Sequence, residues 1–215
     1  MNIRKYKPSD RERVEHIHFE TGFLGKSMSH FLSNNKLWKK EAKPYLDDEP
    51  ENIFVVENED KVIGYLFGSL KNKSESDFKS VLRIFGNFIK GLFLPKKDRN
   101  FWTKKLIHFF KIIFGKSGEL KFNIHKDSGH IHINILPDGR GFNLGTKMLK
   151  KFEKIALSKG LTHIHANSYE TKVNPNKNFW LKNGFVEHSK VKTLDWCWAY
   201  PNEEIFLVCY VKNLK

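Results

Sequence analysis

Polar and apolar positions alternate with two different periods along this chain. His130–Leu136 (HIHINIL) has period two, with Ile131, Ile133 and Ile135 on one side and His130, His132 and Asn134 on the other, and predicts a central β-strand. Pro137-Asp138-Gly139 ends it. Gly141–Ser158 then places Leu144, Met148, Leu149, Phe152 and Ile155 on one face and predicts an amphipathic helix. Upstream, Asn2–Tyr6 reads as a short edge strand. Pro8-Ser9-Asp10 is a turn and cap for a helix through Val14, Ile17 and Phe19 that ends near Gly22. A second helical stretch is expected from about Met28 to Tyr45, with Phe31, Leu32, Leu37 and Trp38 as its apolar positions. Asn52–Glu57 and Lys61–Ser69, separated by Asn58-Glu59-Asp60, have the layout of an antiparallel hairpin. Between Glu75 and Lys116, Val81, Phe85, Phe88 and Leu92 at helical spacing among lysines and arginines predict two helices divided by Pro95. A strand at Thr162–Asn167, a helix at Asn176–Lys182 and strands near Phe185–Leu194 and Glu204–Val211 complete the chain. The expected fold class is α/β (α+β), with a mixed, mostly antiparallel central sheet flanked by helices.

Composition changes this picture in three ways. A chain of 215 residues, 40% hydrophobic and 14% aromatic, can bury a sizeable core, so one domain over 1–215 is expected, with a helical insertion at about 75–116. The formal charge of +14 favours anionic ligands. Because lysine far exceeds arginine and asparagine, isoleucine and phenylalanine are also abundant, the charge reads as compositional bias, and nucleic acid is not an expected partner. Cys197 and Cys209 lack metal-ligand spacing and read as core thiols, and no metal is expected. The start MNIRKYKPSD reads as neither secretory signal nor membrane anchor. Charges at Arg83, Lys90 and Lys111 break the oily runs below the length of a transmembrane span, so the expectation is cytoplasmic.

The candidate chemistry lies at the strand-to-helix junction ILPDGRGFNLGT, Ile135 to Thr146. A strand that passes into a helix through small residues presents unpaired N–H groups and a positive helix end, which suits a pyrophosphate. By itself the segment could equally be an ordinary glycine-rich turn. It resembles, however, the acetyl-CoA-binding motif of the GNAT superfamily of N-acetyltransferases, R/Q-x-x-G-x-G/A preceded by V-x-P. Ile135 and Pro137 stand at the V and P positions, Arg140 at the first motif position and Gly145 at the last, and Asn143 replaces the middle glycine. Downstream, Phe179-Trp180-Leu181-Lys182-Asn183-Gly184-Phe185 is similar to the family's F-Y-x-x-x-G-F, with Asn174 near its cofactor-touching asparagine. The pattern YLDDEPENIFVVENEDKVIGYLFGS followed by HIHINILP is similar to the acetyltransferase-like domains related to the one appended to O-GlcNAcase.

The resemblance implies a sheet whose fourth and fifth strands splay apart to admit acetyl-CoA as co-substrate, with the helical insertion between the third and fourth strands. The cofactor-binding set it implies is Ile135, Leu136, Arg140, Gly141, Phe142, Asn143, Leu144, Gly145, Thr146, Asn174, Trp180 and Lys182. It implies direct transfer to an amine, with the oxyanion held by a backbone N–H near Leu136. The family's acid is often the tyrosine of F-Y. Trp180 stands there instead and reads as packing against the pantetheine arm, with Tyr169 a substitute acid.

For the base, His130 and His132 share one strand face and His163 and His165 share a face of the next strand, so a cluster of imidazoles near the acceptor is one reading. Histidines bonded within the core are another. His132 is the choice among them, and Asn134 faces the same way toward substrate. The insertion has three open readings: a flap packed on the acceptor side, a homodimer contact, or a membrane-surface element. The expected function is acetyl transfer to a primary amine of a small molecule or a protein. The alternative is acetyl-CoA binding without turnover.

Overall fold

Seven strands form one sheet in the order β1-β2-β3-β4-β5-β7-β6 in the computed structural model, which describes residues 1–70, 78–114, 124–171, 176–200 and 202–215. They are β1 (Asn2–Lys5), β2 (Phe54–Asn58), β3 (Lys61–Ser69), β4 (Ser128–Ile135), β5 (His163–Glu170), β6 (Val186–Lys192) and β7 (Phe206–Asn213). The helices are α1 (Arg11–Glu20), α2 (Lys43–Leu46), α3 (Phe78–Leu92), α4 (Lys96–Ile113), α5 (Leu144–Ser158) and α6 (Asn176–Lys182). Every neighbouring pair of strands is antiparallel except β4 and β5. The mixed, mostly antiparallel sheet expected from the sequence is what forms, with a helical hairpin between β3 and β4.

The period-two pattern sorts the two faces. Leu66 of β3 and Ile131 of β4 meet Leu144, Met148, Leu149 and Phe152 of α5 on one side. Tyr65 and Phe67 point to the other, where Val14 and Ile17 of α1 and Leu46 of α2 cover them. A third apolar cluster joins Phe88 of α3 and Phe101 and Trp102 of α4 to Phe19, Phe23, Met28 and Trp196. Asp98 of α4 accepts from the Ser33 backbone N–H at 3.1 Å and from its hydroxyl at 2.5 Å, while Lys105 pairs with the buried Asp195 at 2.7 Å. The hairpin is thereby fastened to the loops beside α1 and before β7.

Two expectations need correction. The helix expected from Met28 to Tyr45 is three short pieces, 3-10 turns at Met28–His30 and Trp38–Glu41 and the single turn of α2. Pro44 is tolerated only in the first turn of a helix, where it stands in α2, so one helix cannot run through it from Met28, and Asn34 turns its side-chain oxygen back to the Lys36 N–H at 3.0 Å, a local bond that competes with helical pairing. The second correction is that α5 begins at Leu144, three residues later than expected, because Gly141 (φ 87°) and Asn143 (φ 58°) are left-handed. Glycine and asparagine are the residues that tolerate that region, and the turn they make delays the first helical turn.

Among the described residues no helix is long and apolar enough to cross a membrane. Phe152, fully buried between α5 and the sheet, tests the packing. Phe152→Ala is expected to lower the unfolding free energy in urea by about 3–5 kcal/mol, the range for an aromatic side chain removed from a core that cannot collapse around the void.

Candidate active site

The pairing of β4 with β5 stops early. Ser128, Gly129 and His130 lie opposite His163, Ile164 and His165, and beyond them the strands part, although each continues for five more residues. β4 stays paired with β3 as far as Ile135, and β5 stays paired with β7 as far as Glu170. The opening is therefore a cleft within the sheet.

Leu136 donates to the Ile63 carbonyl at 2.9 Å. Its own N–H is thereby taken, so an oxyanion donor near Leu136 has to be another N–H of β4. The bond also fixes the phase of β4: in an antiparallel pair the hydrogen-bonded positions alternate, so His132 and Asn134 turn their peptide groups to β3, while Ile133 and Ile135 turn theirs into the cleft. The Ile135 carbonyl is met there by Arg140 Nε at 3.0 Å, and Arg140 Nη2 reaches the Gly25 carbonyl at 3.0 Å. Arg140 thus braces the junction against the loop after α1.

Above the cleft, the N–H groups of Gly141, Phe142, Asn143, Leu144, Gly145 and Thr146 have no protein partner among the described residues, and Asn143 caps nothing with its side chain. The first bond of the helix is Lys147 N–H to the Asn143 carbonyl at 3.1 Å. Six consecutive donors at a positive helix end make an anion site. Phe142 stands 58% exposed beside them, and Lys147, Lys150, Lys151 and Lys182 are exposed on α5 and α6. Gly145 has a second duty, because a Cβ there would lie 3.0 Å from the Phe179 ring of α6. Trp180 is 7% exposed and sits in the core against Phe185 and Tyr210. Below it, the Tyr210 hydroxyl donates to buried Glu170. Asn174 lies outside the described residues.

On the opposite face of the sheet, Asn134 donates to the Tyr65 hydroxyl at 2.9 Å and contacts His132 Nε2 at 3.2 Å. The Tyr65 hydroxyl in turn lies 2.7 Å from His18 Nδ1 on α1. If Nε2 of His132 and Nδ1 of His18 are the acceptors in these bonds, the second nitrogen of each ring carries the proton. His18 Nε2 is buried with no partner among the described residues, and its ring stacks on Trp38 at 5.6 Å. Burial pushes His18 down to about 3, helped by nearby His132, and pushes His132 down to about 4. Both rings are neutral at physiological pH.

The four strand histidines do not gather into one cluster. His130 bonds Tyr45 and packs against His165, which bonds Ser128, while His163 bonds Thr162 and stacks on His125. Among the described residues no three His, Cys, Asp or Glu side chains are grouped to hold a metal. The Tyr169 hydroxyl donates to Asp195 at 2.9 Å, within the Lys105 ion pair.

His18 and Tyr65 were not singled out from the sequence. Two signals point to them in retrospect: His18 continues the buried Val14–Ile17 stripe of α1, and an antiparallel β3–β4 register sets Tyr65 opposite Asn134.

The family described as Acetyltransferase (GNAT) matches the chain over residues 26–185. The chain belongs to the GNAT acetyltransferase family. Similar GNAT-type architecture appears in solved structures of low identity. SsHAT matches with TM-score 0.69 at 19% identity, covering 100% of this chain and 98% of that one. The polyamine N-acetyltransferase of Drosophila melanogaster, which catalyses formation of N-acetylagmatine, matches at 0.61 and 13%, covering 99% of each. The yncA protein of Salmonella typhimurium, solved with acetyl-CoA, matches at 0.56 and 12%, covering 100% of this chain and 94% of that one. No curated protein matches the chain.

The buried histidines predict how this GNAT fold responds to acid. Each of His18, His132 and His165 (pushed to about 4, chiefly by burial) binds its proton more weakly when folded than the ordinary value of 6.5. The unfolded chain therefore takes up protons first as pH falls below about 6.5, and stability declines from there to about 4. The expected slope is on the order of 1 kcal/mol per pH unit for each histidine. Unfolding midpoints measured by circular dichroism should fall through that window, and His132→Gln should flatten the slope.

Proposed function

We propose that the protein transfers the acetyl group of acetyl-CoA directly to a primary amine. The observation that carries this reading is the run of amides from Gly141 to Thr146, without partners among the described residues, beside the parted strands β4 and β5. Those amides and the positive end of α5 would hold the diphosphate, and the exposed lysines of α5 and α6 would favour further phosphate. An extended arm then has the cleft edge of β4 to pair with. The N–H of Ile133 or Ile135 is the donor to the thioester oxygen when the amine attacks.

The reaction forms a C–N bond, breaks a C–S bond, removes a proton from the amine and returns one to sulfur. On the acceptor side the apolar surroundings that keep His18 and His132 neutral also disfavour an ammonium ion, so the amine is helped to arrive as the free base. His132 is the proton acceptor in this reading, its Nε2 giving up the long contact with Asn134, itself bonded to Tyr65, to take the amine proton. Trp180 supplies no acid and Tyr169 is bonded to a carboxylate, but a thiol that ionises near about 8.5 leaves without assistance at moderate rate. Those same two residues favour a second reading, acetyl-CoA binding without turnover. We read residues 1–215 as one such domain, akin to those related to O-GlcNAcase's acetyltransferase-like domain on the strand patterns quoted above.

Calorimetric titration with acetyl-CoA followed by a thiol-release assay over a panel of primary amines separates these outcomes. Saturable binding with release is expected, and His132→Gln should lower kcat by on the order of 100-fold while leaving acetyl-CoA affinity unchanged. Binding without release from any amine would select the second reading, and absence of binding would overturn both.

A further inference from the structure

The hairpin of α3 and α4 has a buried side and a bare one. Toward the body and each other the helices turn Asn87, Phe88, Asp98, Phe101, Trp102 and His108, all under 9% exposed. Helical periodicity places Phe85 and Ile89 on the outer side of α3, with Phe93 just past its end, and Ile107 and Phe110 on the outer side of α4, with Phe114 just past its end. Their exposures run from 38% at Phe85 and Ile89 to 73% at Phe114 and 85% at Phe93. Since the two helices run antiparallel and each turns its buried stripe the same way, the two apolar stripes face outward together. Six of the eleven large exposed apolar residues of the described chain lie on this one element. A concentration of that kind marks a contact surface.

Charge identifies the partner. Residues 78–114 contain nine lysines and arginines against one acid, Asp98, and that acid is buried on Ser33. The element therefore carries +8 of the chain's +14. Lys90, Lys96, Lys104 and Lys111 are exposed along the borders of the apolar face. Aromatic residues flanked by lysines, without acidic residues, suit a sheet of negative headgroups over hydrocarbon: the rings enter the boundary while the ammonium groups stay with the phosphates.

We propose that the outer face of the α3–α4 hairpin docks on an anionic phospholipid surface, lying in its plane. Such docking buries the rings without a membrane-crossing helix. It also leaves α5, whose apolar face packs in a different cluster from the hairpin's, free for its own ligand.

The test is co-sedimentation of the full chain with phosphatidylcholine vesicles prepared with and without phosphatidylglycerol. Binding is expected to the anionic vesicles, to weaken as salt is raised, and to be slight on the neutral ones. Phe93→Ser/Phe114→Ser should lower the partition coefficient about tenfold or more, and Lys90→Glu/Lys104→Glu by about tenfold. All four side chains are exposed, so the variants should fold, which circular dichroism checks. No binding to anionic vesicles, equal binding to both vesicle types, or partition indifferent to the two phenylalanines would each overturn the proposal. So would a concentration-dependent dimer that Phe93→Ser/Phe114→Ser abolishes, because the face would then belong to a second copy. Vesicle binding needs no acetyl-CoA, so this result and that of the transfer assay can fail separately.

Discussion

A strand in the middle of a sheet that loses one neighbour halfway leaves peptide groups that must find another partner or remain solvated at some cost. β4 is such a strand. Its outer neighbour departs after His130, and the alternation fixed by the Leu136–Ile63 bond turns the peptide groups of Ile133 and Ile135 into the vacated space. The fold keeps this space open by committing both walls elsewhere: β4 is held to β3 along its length, and β5 to β7. Arg140 stabilises the mouth by bonding the Ile135 carbonyl and tying it to Gly25. Its place in the junction is thus explained by bracing, without any direct reach toward a phosphate.

The two sides of the cleft have opposite electrostatic character. On the α5 side, free amides, a helix end and exposed lysines favour negative charge. On the α1 side, His18, Tyr65, His132 and Trp38 form an aromatic wall in which burial makes protonation costly. A charged donor and a neutral nucleophile are what the proposed acyl transfer from a polyanionic thioester would bring together, and each would find a matching side.

Much of this was legible in the residues. The clean alternation of HIHINIL and the stripe from Leu144 to Ile155 predicted β4 and α5, and the glycine-rich junction pointed to the run of amides at the start of α5. Three things were not legible, for physical reasons. The helix expected over Met28–Tyr45 failed because apolar spacing carries no information about Pro44 and the Asn34 turn, which act through the backbone. Which N–H near Leu136 faces the cleft could not be read, because side-chain alternation gives the faces of a strand but not which edge its N–H groups serve, which needs the β3 register. His18 and Tyr65 were missed because their roles arise from contact between elements far apart in sequence.

The positive charge shows the same limit of composition. Taken as a total, +14 is consistent with bias spread over the whole surface. The fold shows that more than half of it is carried by one hairpin whose single acid is turned inward, while the lysines beside the cleft supply a separate, smaller field. Fields from exposed charges fade within about 8–10 Å at physiological salt, so each patch acts chiefly on what lies beside it. One surrounds an opening with unpaired amides and the other borders exposed rings. The neighbours of each patch, more than the sum of charges, decide which anion it suits.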